Sequence, residues 1–274
     1  MPRLPLELLR IITEDVEKSA DLARLSLVSW KFNYEAERRL YHSIGYCTPD
    51  RRLIWNEGNS EAMLQLVQDC PRRWGFLVRL NFYKMGYGWP SFKDIKAFLA
   101  SHCHNLKTLI LPIQTPVSWI PPPTASFRLH TFSFRGWTEE EKTPPPALSH
   151  FLESQPDIRD LSLLTVFAPN LSPGSLPKLE RISGCIECCL SLIPARAIRE
   201  LKVIGSNSDL LRIMSTSDQG AMELAHLESL TLPRRHCCIL PLFGPAFPRI
   251  RHLDIMLVCV RFAFSWLHDL IRIL

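Results

Sequence analysis

Apolar residues recur along this chain in two different rhythms. Near the start, Leu8, Leu9, Ile12 and Val16 fall at helical spacing, behind a Pro5 that suits a first turn because its missing N–H costs nothing there. Leu22, Leu25 and Val28 follow Asp21, a candidate cap, and Phe32, Ala36 and Leu40 follow Ser29, another. Three short amphipathic helices are therefore predicted in residues 1–44. So small a set of helices cannot bury all these side chains within itself, which leaves apolar surface for a partner or for the rest of the chain.

From about residue 75 the rhythm changes to an apolar-x-x-apolar-x-apolar run. It occurs as Leu77-Leu80-Phe82, Leu106-Leu109-Leu111, Leu129-Phe132-Phe134, Ile158-Leu161-Leu163, Leu201-Val203 preceded by Ile198, Leu227-Leu230-Leu232 and Ile250-Leu253-Ile255. A weaker run sits at Leu179 and Ile182, and the central residues step by 29, 23, 29, 21, 19, 29 and 23. Period two puts the intervening residues on the opposite face of a strand. They are Arg79 and Asn81, Thr108 and Ile110, Thr131 and Ser133, Asp160 and Ser162, Arg181 and Ser183, Glu200 and Lys202, Ser229 and Thr231, and His252 and Asp254. Only Ile110 among the sixteen is apolar, so each strand has one core face and one wet face.

Helical patterns fall between these runs, at 91–102, 147–154, 208–215 and 262–274. Strand, helix and strand with short links build an α/β fold in which a parallel sheet is backed by helices, and stacking the units buries a continuous core. Residues 45–76 read as a joint, with a helix over 60–69 that turns Met63, Leu64 and Val67 inward and ends before Pro71. Prolines at Pro112, Pro116, Pro121 to Pro123 and Pro144 to Pro146 can stiffen the connections, or offer a PxxP ligand. After the helix over 262–274 no closing strand or polar cap follows. The expectation is that the chain is a shortened version of a longer protein or that a partner covers that end, and that alone it associates with itself.

Both regions resemble known families. The stretches Leu4-Pro5-Leu6-Glu7-Leu8-Leu9-Arg10-Ile11-Ile12, Asp21-Leu22-Ala23-Arg24-Leu25-Ser26-Leu27-Val28-Ser29-Trp30 and Arg39-Leu40-Tyr41-His42-Ser43-Ile44 together resemble an F-box of the fungal type, over roughly residues 2–44. The runs over 77–274 resemble about eight irregular leucine-rich repeats, although the asparagine that usually follows the strand is missing at nearly every one. The resemblance implies a solenoid with a parallel concave sheet and outer helices. It also implies a substrate-recognition adaptor rather than an enzyme. Leu4, Pro5, Leu8, Leu9, Ile12, Leu25, Val28 and Ser29 would dock on the Skp-family adaptor of a cullin-RING ubiquitin ligase, with Trp30 standing where the family often has a basic residue. The repeats would hold a protein substrate through Arg79, Asp160, Arg181, Glu200, Lys202, His252 and Asp254. Such a chain acts by proximity, raising the concentration of a target near machinery carried by other subunits. A protein-interaction scaffold without a ligase is the alternative.

Composition agrees with a folded chain: 274 residues, 46% hydrophobic and 22% charged. The net charge of +5 lies outside the first 44 residues, where seven Lys/Arg balance seven Asp/Glu. Arginine pairs are scattered and lack interleaved aromatics, which argues against a nucleic-acid groove. No basic-then-apolar leader opens the sequence and no run of eighteen apolar residues occurs. Nine irregularly spaced cysteines read as reduced thiols, so an intracellular site, cytoplasmic or nuclear, and no membrane partner are expected.

Phosphate-cradling glycine loops, His-Glu-x-x-His and Gly-x-Ser-x-Gly are all missing, so no nucleotide cofactor or hydrolase chemistry is specified. Cys185, Cys188 and Cys189 with His236, Cys237 and Cys238 offer zinc-type donors, but on non-adjacent units. Cysteine also fills cores as a small hydrophobe, so no metal or cofactor is assigned and a zinc or thiol enzyme is the third reading.

Overall fold

The computed structural model describes residues 4–45, 69–82, 95–113, 119–136, 146–165, 168–193, 196–204, 226–233 and 249–256. These form an α/β protein of two layers. Three helices come first: α1 (Leu6–Asp15), α2 (Ser19–Leu25) and α3 (Trp30–Leu40). The chain then enters β1 (Ser43–Gly45) and continues through α4 (Pro71–Trp74), β2 (Arg79–Asn81), α5 (Ile95–His102), β3 (Thr108–Ile113) and β4 (Thr131–Arg135). There follow α6 (Pro146–Glu153), β5 (Asp160–Leu163), β6 (Arg181–Gly184), α7 (Ile186–Leu192), β7 (Glu200–Val203), β8 (Ser229–Pro233) and β9 (His252–Met256). The helices expected over 208–215 and 262–274, and that over 60–69 except for Asp69, lie outside the described residues, as does the C-terminal end of the stack.

The nine strands form one parallel sheet in strict chain order, β1 to β9. Its register is the one the apolar runs imply. Ile44, Leu80, Leu109, Phe132, Leu161, Ile182, Leu201, Leu230 and Leu253 stand side by side as partners on successive strands. Slipping any strand by one residue would turn this row out to water, which is why the register is firmly set. All but Leu253 are buried, and the row shares its core with Leu99 of α5, Leu148 and Phe151 of α6, and Cys188 and Leu192 of α7. The helices therefore cover the apolar face. Phe151 meets Phe132 edge to face at 5.2 Å, a geometry that favours aromatic pairs beyond their buried area.

The step between strands is repeated in the backbone. His42, Val78, Lys107, His130, Arg159, Glu180, Arg199 and Glu228 each offer one carbonyl to two successive N–H groups of the next unit, as when Arg159 and Asp160 donate to His130 O at 2.9 and 3.1 Å. Side chains tie the connections too. Asn105 Nδ2 donates to Gly75 O at 2.6 Å, the buried Gln155 accepts from Leu129 N at 3.0 Å, and the buried Arg196 donates to Ser175 O at 3.0 Å. These three satisfy backbone groups that a sheet with irregular connections leaves over.

Two local expectations change. Asp21 does not cap α2, which begins at Ser19; its carboxylate instead pairs with Arg24 at 3.3 Å within the helix. Ser29 does cap α3, its hydroxyl accepting from Phe32 N at 3.3 Å. In α1, Leu9 and Thr13 are the buried positions, with Val16 packed just beyond, while Leu8 and Ile12 face water. The inward stripe thus keeps Leu9 and Val16 from the expected set and takes Thr13 in place of Leu8 and Ile12.

Candidate functional site

Two surfaces stand out among the described residues. The first is on the helices. Of the ten large apolar side chains that stand exposed among the described residues, nine fall between Leu4 and Tyr34, the other being Leu253. Leu8 and Ile12 of α1 are 45% and 40% exposed, and Val28, between α2 and α3, is 66% exposed. Leu4, Pro5 and Ser29 are also exposed, and Leu25 is half-buried. Leu9 departs from the expected docking set: at 3% exposure it packs inward and holds α1 in place, so it has no surface to offer a partner. Leu6, Ile11, Leu27, Trp30 and Tyr34 belong to the exposed group and were not expected there. For Leu6 and Ile11 the signal was present, because leucines and isoleucines fall on more than one side of α1 and one helix can bury only one stripe.

These helices are fastened by an ion cluster to α4, which precedes β2. Glu37 of α3, with its side chain 10% exposed, accepts from Arg73 Nε at 3.2 Å and Nη2 at 3.0 Å, and also from Arg72 Nη2. Arg72 reaches Asn33 Oδ1 at 2.9 Å as well, and the Arg73 guanidinium lies 4.8 Å from the Tyr41 ring centroid. Arg39 adds a bond to Thr13 O at 2.7 Å, joining α3 to α1. No spacing rule could have paired Glu37 with residues 35 and 36 positions away.

The second surface is the outer face of the sheet. Register brings Arg79, Thr108, Thr131, Asp160, Arg181, Glu200, Ser229 and His252 into one row, and Asn81, Ile110, Ser133, Ser162, Ser183, Lys202, Thr231 and Asp254 into the next. All seven charged residues expected to meet a substrate are thereby on one face. Arg79, Glu200, Lys202, His252 and Asp254 are exposed, whereas Asp160 and Arg181 are half-buried and bridge to each other at 3.3 Å. Four of these charges therefore stand on β5 to β7, with Arg79 on β2 and His252 and Asp254 on β9, and the hydroxyls of Thr131, Ser133, Ser162 and Ser183 stand among them on β4 to β6.

A third row escaped the sequence reading. The residue before each strand contributes Lys107, His130, Arg159, Glu180, Arg199, Glu228 and Arg251, neighbours through the shared-carbonyl bonds. From Arg159 onward the signs alternate, and each is opposite to the charge that follows it at Asp160, Arg181 and Glu200. The result is a checkerboard at the entry edge of β5 to β7, with unlike charges side by side as cross-strand pairing favours. Burial first, and then Lys107 and Arg159, lowers the pKa of His130. The ring adds little positive charge to this rim at neutral pH.

Among the described residues no group of three or more His, Cys, Asp or Glu could hold a metal ion, and His236, Cys237 and Cys238 lie outside them. Nor is any described helix long and apolar enough to cross a membrane. No protein-family model matches the chain, and no curated protein matches it.

Proposed function

We propose that this chain is a non-enzymatic recognition subunit of a Skp-cullin-F-box type ubiquitin ligase. The three N-terminal helices act as an F-box that docks on a Skp-family adaptor. The sheet belongs to a leucine-rich-repeat type solenoid whose polar face holds a protein substrate.

One observation carries the reading: among the described residues the exposed large apolar side chains gather on α1 to α3, while the apolar face of the sheet is buried from β1 to β8. Folding leaves single hydrophobes scattered on a surface; a gathered patch marks an interaction site. The docking set is accordingly Leu4, Pro5, Leu8, Ile12, Leu25, Val28 and Ser29, without Leu9 and with Leu6, Ile11, Leu27 and Trp30 beside it. The second surface fits a different kind of partner. A face of mixed sign selects by the pattern of charge more than by bulk attraction, which suits choice among protein substrates.

The test is binding of the purified chain to a purified Skp-family adaptor, with Leu8→Ala/Ile12→Ala as the variant. Both residues are exposed, so the double variant keeps the fold, which circular dichroism checks. Truncating two central anchors costs on the order of 2 kcal/mol or more in affinity. Unchanged affinity in a folded double variant, or no binding by the natural chain, would overturn the ligase assignment. Substrate binding without any adaptor would then make the chain a scaffold.

A further inference from the structure

The cysteines of α7 have no part in either surface. Cys185 sits at the turn from β6 into α7, and α7 leads on to β7, its neighbour in the parallel sheet. A Cys-x-x-Cys pair at the strand-to-helix turn of such a unit is the arrangement of dithiol redox sites. Here Cys185 caps the helix, its Sγ accepting from Cys188 N at 3.4 Å. Cys185 is partly open to solvent, whereas Cys188 is buried and its Sγ lies 3.2 Å from Thr165 Oγ1.

We propose that Cys185 and Cys188 are a redox pair that closes to a disulfide when a glutathione-type disulfide reaches Cys185. Residues three apart at the start of a helix have Cβ atoms close to the separation a disulfide spans, so closure requires only a local adjustment of the first turn. The contact with Cys188 pushes the Cys185 thiol up and draws the Cys188 thiol down, so the pair keeps its proton on Cys185 and Cys188 is the sulfur that can take that proton when Cys185 reacts. Cys189 differs from both: it is fully buried, and burial pushes its thiol up, which leaves it inert.

The reaction balances as two exchanges. The Cys185 sulfur passes its proton to Cys188 as it attacks oxidised glutathione, the glutathione S–S bond breaks, and one glutathione thiolate leaves and takes up a proton. The Cys188 thiolate then attacks the Cys185 sulfur of the mixed disulfide and expels the second glutathione, which takes up the other proton. Two electrons pass from the protein to the reagent. Closure also withdraws the Cys188 sulfur from Thr165, at the end of β5.

The full chain is equilibrated across mixtures of reduced and oxidised glutathione, quenched in acid, alkylated and read by peptide mass spectrometry. As the mixture becomes oxidising, the peptide carrying both residues is expected to lose two alkyl groups and to become two hydrogens lighter, with Cys103 still alkylated after denaturation. Cys185→Ser abolishes the change, Cys188→Ser stops Cys185 at its glutathione adduct, and Cys189→Ser leaves closure intact. A natural chain that stops at the Cys185 adduct, bridges Cys185 to Cys189, or stays fully alkylatable across the whole series would overturn the proposal.

Discussion

Replacing Glu37 with alanine probes how firmly the helices are held to α4. In the structure its carboxylate meets two guanidinium groups, those of Arg72 and Arg73, whose side chains are 51% and 22% exposed. Breaking a fully buried ion pair costs about 3 to 5 kcal/mol, because the surviving charge stays desolvated. Arg72 can turn into water, where screening reduces its share, but Arg73 is held against Tyr41 and cannot rehydrate fully. The expected loss for Glu37→Ala is therefore about 2 to 3 kcal/mol, with Glu37→Gln losing roughly half because an amide oxygen still accepts a bond. Urea unfolding measures the stability, and a double-mutant cycle with Arg73→Ala isolates the pair at about 1 to 2 kcal/mol. Hydrogen exchange adds the location: protection should fall in α3 and stay unchanged in β4 to β6. A loss below about 0.5 kcal/mol with no coupling to Arg73 would place Glu37 among ordinary surface residues and refute the clamp.

Three further outcomes are expected. Gly45 has φ +116°, and a Cβ there would lie 1.7 Å from Asn81 O, so Gly45→Ala should strain the backbone and part β1 from β2, at about 3 kcal/mol in thermal or urea unfolding; a loss under about 1 kcal/mol would show that the two strands can move apart freely. Exchanging charges on the polar face, as Glu200→Lys with Lys202→Glu, should abolish capture of any substrate identified by affinity purification while adaptor affinity is kept, and loss of both would mean that the chain had misfolded. Burial pushes the Cys103 thiol up to about 12, against 9 for the free group. The unfolded chain therefore gives up this proton first, so stability should fall as pH rises from 9 towards 12 and be insensitive to Cys103 below that range; a Cys103→Ala chain with the same alkaline slope would remove the thiol as its cause.

The eight apolar runs mark eight of the nine strands, and their register could be read because each run repeats a single central residue, from Leu80 to Leu253. The third helix was legible for a similar reason, since a serine that starts a helix bonds to the N–H three residues on. The misses have physical causes. Neighbours such as Leu8 and Leu9 are equally apolar, and only packing against α3 decides which turns inward. Three residues, Ser43 to Gly45, are too few to alternate visibly, so β1 was hidden at the end of the third helix. The short α7 carries cysteines in place of the usual aliphatic stripe. The rim of alternating charge was missed because residues such as Arg159 and Glu180 stand before the strands, and only the bonded carbonyl steps reveal them as neighbours.

The order of strands in the sheet is also the order in which a ribosome would make them. Each strand bonds only to the one made before it and the one made after it, so a newly emerged segment finds its template already finished and waiting at the edge. Nothing early in the chain has to be kept open for a late arrival. A sheet of scrambled order must hold a gap between strands until the missing one is synthesised, with bare backbone exposed to aggregation meanwhile. Here the growing edge is a single strand wide, and it advances from β1 to β9 in step with translation.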